Sequence, residues 1–314
     1  MLDQIEIKAP DISAFREGNT GIDFVHQFDS GIEGPHVGIS AIIHGNEICG
    51  SVALTHLLKN NTRPLIGKLS LIFMNIGAYE LFNPDRPYAS RYVDEDFNRI
   101  WDPVSLNGPA NTKEKRRAQQ IRPIIDDLDY LLDIHSMGDI CPPITLCGPS
   151  EKGLNLAQSV LASEIVVIDE GHASGCRLRD YGDFNNPASL KNALLIECGQ
   201  HWHKSSATVA IEASYRFLHH FKMISDGVAS PYLSDRAKPQ KILEVTDVVT
   251  VKNDAFFFDL SPEPLQKMPH KDSLIGRDGT EAIRTPYNDC YFIMPQQGAR
   301  CGQTAVRLAK EINN

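Results

Sequence analysis

Short apolar runs alternate with helix-like segments from Val37 to about Met223, and this rhythm predicts an α/β fold with a sheet covered on both faces. After Asp226 the texture changes to β-branched and aromatic runs separated by turn residues, which predicts a small C-terminal all-β domain. At roughly 150 residues per domain, a length of 314 residues accommodates both. The division is placed at 1–225 for the larger unit and 226–314 for the smaller.

Residues 36–43 read as a strand, 47–59 as a helix and 68–74 as a strand. A charged amphipathic helix over 113–128 leads into a strand at 129–134. The run Lys113-Glu-Lys-Arg-Arg117 at its start reads as a solvated helix face. Residues 153–163 read as a helix, 165–168 and 193–196 as strands, and 205–223 as a long helix. Pro, Asp and Lys then cluster at 230–241, and strands are expected at 241–252, 255–260 and 289–294.

Composition removes several classes of function. Lys and Arg number 31 against 40 Asp and Glu, a net charge of −9, whereas a general nucleic-acid binder needs a basic footprint. Residues 1–15 alternate acids with apolar residues and lack the continuous apolar core of a signal peptide. Residues 65–82 carry Lys68, Ser70, Asn75 and Glu80, too polar for a membrane span. Seven cysteines without a C-x-x-C pair point to reduced, mostly buried thiols and to the cytoplasm. Neither G-x-G-x-x-G after a strand nor G-x-x-x-x-G-K-[ST] occurs. In Gly171-His-Ala-Ser-Gly175 the serine stands one place too late for a nucleophile elbow.

The sharpest motif is His44-Gly45-Asn46-Glu47, directly after the first strong strand. A spacing of three lets a loop entering a helix aim His44 and Glu47 at one point, and an imidazole with a carboxylate suits zinc. Gly45 supplies backbone freedom for the exit from the strand. Chance H-x-x-E pairs are common, so a third ligand is needed. His135 ends another strand, where sites form in open α/β sheets, with Asp133 two residues earlier on the same face as an orienting acceptor. A satisfied strand-end histidine is the plain alternative.

Glu197 ends the apolar run 193–196, and an acid there needs either an ion partner or a task such as general base. Between these motifs, Ser90-Arg91-Tyr92-Val93-Asp94-Glu95-Asp96-Phe97-Asn98-Arg99-Ile100-Trp101 packs arginines, an asparagine and acids into one loop. An arginine offers a fixed fork for a carboxylate, and a second can meet developing oxyanion charge. On composition alone the same run reads as a solvated charge cluster.

Taken together, H-G-N-E, R-Y-V-D-E-D-F-N-R-I-W, D-I-H-S and I-E-C-G resemble the aspartoacylase/succinylglutamate desuccinylase family, a branch of the zinc carboxypeptidase-like hydrolases. The four blocks stand in family order across residues 36–200. The resemblance implies a zinc carboxypeptidase-like α/β/α sandwich with a mixed sheet, followed by a β domain that narrows access to the site. It implies one zinc per subunit on His44, Glu47 and His135, with Glu197 activating the metal-bound water. Arg91 would polarise the scissile carbonyl, Asn98 and Arg99 would grip a substrate carboxylate, and Asp96 would support the arginines. The implied activity is a zinc-dependent amidohydrolase, or deacylase, cleaving an N-acyl amino acid or a similar small carboxylate-bearing amide. Its partner is that small molecule, with no nucleic acid or membrane, and self-association into a homo-oligomer is left open.

The sequence departs from the family at one point. Aspartoacylase proper has a further arginine shortly before the catalytic acid, and residues 183–192 contain none; Arg177 and Arg179 lie earlier and Lys191 at the end of the stretch. Tyr287 and Tyr291 both stand as candidates for the family's C-terminal substrate tyrosine. The acyl group and the amino acid therefore stay open. Rival readings are a metallocarboxypeptidase acting on peptides, a catalytically inactive binding protein on the same fold, and a cysteine hydrolase using Cys198 with His201 or His203. Adjacent strand residues face opposite sides, so Cys198 and Glu197 cannot serve one site. His201-Trp202-His203 is placed to line a substrate entrance.

Overall fold

A mixed sheet of eleven strands carries the molecule. The computed structural model describes residues 4–171, 174–236 and 239–312. Residues 1–3 of the amino-terminal stretch, and His172 and Ala173 of the Gly171–Gly175 motif, lie outside the described residues. The strands are β1 (Val25–Asp29), β2 (His36–Ala41), β3 (Lys68–Phe73), β4 (Tyr130–Met137), β5 (Ile144–Cys147), β6 (Ile165–Ile168) and β7 (Asn192–Gln200). After these come β8 (Lys241–Thr250), β9 (Phe256–Phe258), β10 (Lys267–Met268), β11 (Leu274–Asp278), β12 (Glu281–Arg284), β13 (Cys290–Ile293) and β14 (Thr304–Ile312). The helices are α1 (Cys49–Lys59), α2 (Ile76–Tyr79), α3 (Pro103–Asn107), α4 (Lys113–Asp127), α5 (Glu151–Val160), α6 (Lys204–His220) and α7 (Asp226–Ala229).

Strand order in the large sheet is β1-β3-β2-β4-β7-β5-β6-β8-β14-β13-β10. Its centre, β3-β2-β4-β7, is parallel, which crossover connections between the strands allow. The expected alternation of strands and helices is therefore present, together with β1, β5, β10, β11, β12 and β14, which the sequence pattern does not reveal. From Lys241 onward the chain is all-β. Its strands join the central sheet where β8 pairs in parallel with β6, while β9, β11 and β12 make a separate three-stranded antiparallel sheet.

Strand periodicity sorts the core into two layers. Leu132 and Ile134 of β4 and Leu194, Ile196 and Cys198 of β7 pack with Leu54 and Leu57 of α1 and Ala210, Ala213 and Phe217 of α6. Leu131 and Ala193, of opposite parity, pack with Ala118, Ile121 and Ile125 of α4 and with Trp101. His135 and Glu197 share the parity of this second set. They are also direct partners across the β4–β7 register, so the sheet presents them side by side at the strand ends.

The chain leaves β2 through Ile42, a β-branched residue in the left-handed region (φ 58°) that side chains of this type avoid. Amides of Met74 and Asn75 donate to the carbonyls of Ala41 and Ile42, both at 3.0 Å, and hold this turn. Gly45 follows, and space rather than torsional freedom explains it. A Cβ there would lie 2.3 Å from the Ala78 carbonyl carbon and 2.5 Å from the Tyr79 nitrogen, both backbone atoms. Gly45→Ala is expected to destabilise the fold by about 1–3 kcal/mol, the usual cost of overpacking. Thermal unfolding measures this against Gly227→Ala in α7, whose Cβ meets nothing within 4 Å and does not lower the midpoint. Equal midpoints for the two variants would contradict the close-approach explanation.

Candidate active site

Three chain segments converge at the C-terminal ends of β2, β4 and β7. The turn after β2 supplies His44 and Glu47, with the Glu47 amide donating to the His44 carbonyl at 3.1 Å. His135 lies near the end of β4, and Glu197 sits beside it on β7. His44 Nδ1 lies 2.7 Å from Glu47 Oε1, and His135 Nδ1 lies 2.8 Å from Glu47 Oε2. The far ring nitrogens are held as well: His44 Nε2 by Asp96 Oδ1 at 3.0 Å, and His135 Nε2 by Asp133 Oδ2 at 2.8 Å. Asp133 is in turn fixed by the Ser40 hydroxyl, which donates to its Oδ1 at 2.6 Å.

This arrangement fits a metal ion. A carboxylate can only accept, so Asp96 and Asp133 make Nε2 the protonated nitrogen of each ring and leave Nδ1 to coordinate. One ligand atom from each of His44, Glu47 and His135 lies within 4.8 Å of the other two, and all three residues are buried. Burial pushes the Glu47 carboxyl up, but the two imidazoles outweigh it and hold the group well below the carboxylate range. Burial likewise disfavours a charged His135, but Asp133 and Glu47 outweigh it and raise the ring well above the histidine range. A buried carboxylate flanked by two anchored imidazoles is a donor set that fits a cation. Two imidazoles and one carboxylate match the donor set of a catalytic zinc.

Glu197 stands at the edge of this cluster. Its Oε2 is buried and has no hydrogen-bond partner among the described residues. Burial pushes its carboxyl up to about 8; His135 and Arg91 oppose the shift, and Glu47 and Asp133 add to it.

Arg91 approaches from the opposite side. Its Nη2 donates to Asp96 Oδ2 at 3.1 Å, and its Nη1 lies 3.7 Å from Glu47 Oε1. With its side chain 39% exposed against 3% for Glu47, Arg91 faces the open side of the site. Its carbonyl accepts from the Gly45 amide at 3.1 Å, which docks the arginine loop on the metal motif.

Asn98 is buried, and its Oδ1 accepts from the Leu178 amide at 2.9 Å. That bond fixes the direction of the side-chain amide and leaves Nδ2 as the donor. Arg99 is held by its Nη1 on the Asn98 carbonyl at 2.7 Å and its Nε on Ser174 Oγ at 3.2 Å. Gly175 lets the next segment pass close by, because a Cβ there would lie 2.2 Å from the Arg99 carbonyl oxygen. Ser174 and Gly175 thus brace Arg99.

Several expectations are corrected or refined. The charge run at 113–117 is not a uniformly solvated face: Glu114 is fully buried, and Arg117 donates to the carbonyls of Asp23, Phe73 and Met74. Arg177 is bound between Asp169 and Asp180, and Arg307 of β14 also reaches Asp169, at 3.3 Å. Burial lowers Arg99 to about 10, with Asp96 opposing and Arg91, Arg177 and Arg307 adding to the drop, so positive charge gathers on this side. The hydroxyl of Tyr287, between β12 and β13, meets Thr246 of β8, and that of Tyr291 of β13 meets Glu311 of β14. Cys198 points into the core beside Cys49, on the face opposite Glu197. His201 is buried with Nδ1 2.8 Å from Ser136 Oγ, and burial lowers it to about 4, a neutral ring near Glu47, His44 and His135. The residue whose part sequence reasoning understated is Asp96, which touches His44 and Arg91 at once. Its position midway between Arg91 and Arg99 was the available signal.

Comparison with known proteins identifies the family and the fold. The profile of the succinylglutamate desuccinylase/aspartoacylase catalytic domain matches residues 33–214, more than half of the chain. Aspartoacylase of Xenopus tropicalis is 34% identical over 105 residues, covering 30% of this chain and 31% of that protein, so the match spans about a third of that relative. The crystal structure of succinylglutamate desuccinylase from Vibrio cholerae superposes with a TM-score of 0.71 at 16% identity, covering 93% of this chain and 86% of that one. The product-bound ectoine utilization protein EutE (DoeB) from Ruegeria pomeroyi gives 0.61 at 17% identity, covering 88% and 85%. At such identities the solved structures share the fold, while the domain profile carries the kinship. The chain belongs to the succinylglutamate desuccinylase/aspartoacylase family.

Proposed function

We propose that this chain is a zinc-dependent amidohydrolase that cleaves the amide of an N-acyl amino acid, or of a similar small carboxylate-bearing amide. The observation that carries the reading is Glu197 Oε2, buried without a partner beside His135 and within the field of Glu47 and Arg91. A buried, unpaired carboxylate oxygen is costly unless a reacting proton comes to it. His44, Glu47 and His135 would hold one zinc per subunit. When bound, zinc supplies a Lewis acid that lowers the pKa of a water to about 7.

Glu197 accepts a proton from the attacking water and returns it to the amine as the C–N bond breaks, so the products are a carboxylate and an amine. Arg91 donates to the carbonyl oxygen as charge builds there. Asp96 holds the Arg91 guanidinium and the His44 ring in one geometry. Asn98 Nδ2 and the Arg99 guanidinium bind the substrate carboxylate through charge-assisted hydrogen bonds. All seven cysteines are free thiols, which suits the reducing cytoplasm. None of the described helices is long and apolar enough to cross a membrane.

Two measurements test the reading. Purified zinc-loaded protein is expected to release free amine from N-acyl amino acids and to leave N-blocked dipeptides intact; the reverse preference would replace the deacylase with a carboxypeptidase. Glu197→Gln is expected to lower kcat by about 10²–10⁴-fold, the usual contribution of a general base. Its zinc content, measured on the same samples, stays at one per chain. A variant that retains wild-type kcat would remove Glu197 from the chemistry, and wild-type protein without stoichiometric zinc would favour an inactive binding protein.

A further inference from the structure

Glu114 opens α4 within the charge run, yet it is fully buried. Its Oε1 accepts from the Val93 amide at 2.7 Å and from Asn75 Nδ2 at 3.2 Å. Its Oε2 accepts from the Asp94 amide at 3.1 Å and the Glu95 amide at 3.4 Å. All four partners are donors. Asn75 cannot turn its amide around, because its Oδ1 accepts from the Ala78 amide at 3.2 Å and so caps α2. Backbone amides cannot reverse either. The cradle therefore takes only a group with two acceptor oxygens.

The loop returns the hold. Asp94 Oδ2 accepts from the Lys113 amide at 2.7 Å at the start of α4. Thr112, the N-cap that accepts from the Lys115 amide at 3.1 Å, donates its hydroxyl to Glu95. Lys115 Nζ lies 3.7 Å from the same carboxylate. Loop and helix cap each other, and α4 is itself tied to the end of β3 by Arg117, whose Nη2 meets the Phe73 carbonyl at 2.8 Å and whose Nε meets that of Met74 at 3.0 Å. The clamp thus passes from the sheet through α4 to residues 93–95, which join Arg91 to Asp96, Asn98 and Arg99.

We infer that Glu114 is a positioning residue for the hydrolysis: by fixing the amides of residues 93–95 it sets where Arg91 meets the scissile carbonyl and where Asn98 and Arg99 meet the substrate carboxylate. Glu114 touches neither the metal ligands nor the substrate. Its effect on rate rests on the hydrolase reading; its hold on the loop does not.

Glu114→Gln keeps the size of the side chain and replaces one acceptor oxygen with a donor, whichever way the amide turns. The zinc-loaded variant is expected to lose at least tenfold in kcat/KM on an N-acyl amino acid, through both a lower kcat and a higher KM, at unchanged zinc content. Glu114→Asp, which keeps both oxygens on a shorter arm, recovers part of that loss. Hydrogen exchange of the Val93, Asp94 and Glu95 amides speeds at least tenfold in Glu114→Gln, while amides of β4 and β7 keep their wild-type rates. A glutamate that only stabilised the fold would lower the thermal midpoint and leave kcat and KM of the folded protein unchanged. That result, or wild-type exchange at residues 93–95 in the variant, overturns the assignment. Should Glu114→Gln not fold, the wild-type protein decides: the three amides exchange at least a hundredfold slower than unprotected loop amides, and free exchange overturns it. If wild-type protein hydrolyses no N-acyl amino acid, the hydrolase reading falls, and exchange still decides the hold on the loop.

Discussion

The Glu47 carboxylate lies buried between two imidazole nitrogens, with the side chain only 3% exposed and both oxygens facing ring nitrogen within 2.8 Å. Buried charge is tolerated only when it is paired and hydrogen-bonded on every side. The surrounding structure meets that demand in stages. Asp96 and Asp133 fix the far nitrogens of the rings, Ser40 fixes Asp133, and the Ser136 amide donates to Glu47 Oε2 at 3.2 Å. The β4–β7 register then places Glu197 next to His135. Together these contacts hold His44, Glu47 and His135 as a donor set that fits a cation.

Asp96 makes the metal motif and the arginine loop one network. One of its oxygens meets the His44 ring and the other meets Arg91, and the Asn98 amide donates to it at 2.9 Å. His44 and Arg91 together hold its carboxyl far below the ordinary range, outweighing the burial that would raise it. A chain with a net charge of −9 repels anions at long range, so attraction for a substrate carboxylate has to be local. In the proposed reaction Arg91 and Arg99 would supply it, while Arg177 is held between Asp169 and Asp180.

Much of this centre was legible in the sequence, because its residues occupy positions that local pattern marks. His44 and Glu47 follow a strand at one-turn spacing, and His135 and Glu197 end apolar runs whose burial is plain from composition. The alternation of strands with helices was legible for the same reason. Other features depend on partners far away in sequence. Nothing local distinguishes Glu114 from Lys115 or Arg116; only the approach of residues 93–95 makes it a buried acceptor. Gly45 reads as a flexible hinge until Ala78 and Tyr79 are found against it. β5 is only four residues long and β14 is interrupted by Arg307, Lys310 and Glu311, so both are recognised from their pairing with β7 and β8.

The proposed zinc site takes the Nδ1 atoms of His44 and His135 and the Glu47 carboxylate, with no thiol among its ligands. Cys49, which begins α1 two residues after Glu47, is the nearest chemical competitor in sequence. X-ray absorption at the zinc edge of the loaded protein tests the point directly. The account predicts a shell of nitrogen and oxygen at about 2.0–2.1 Å, with outer scattering from two imidazoles and no sulfur. A sulfur shell near about 2.3 Å, or scattering from a single imidazole, would contradict it.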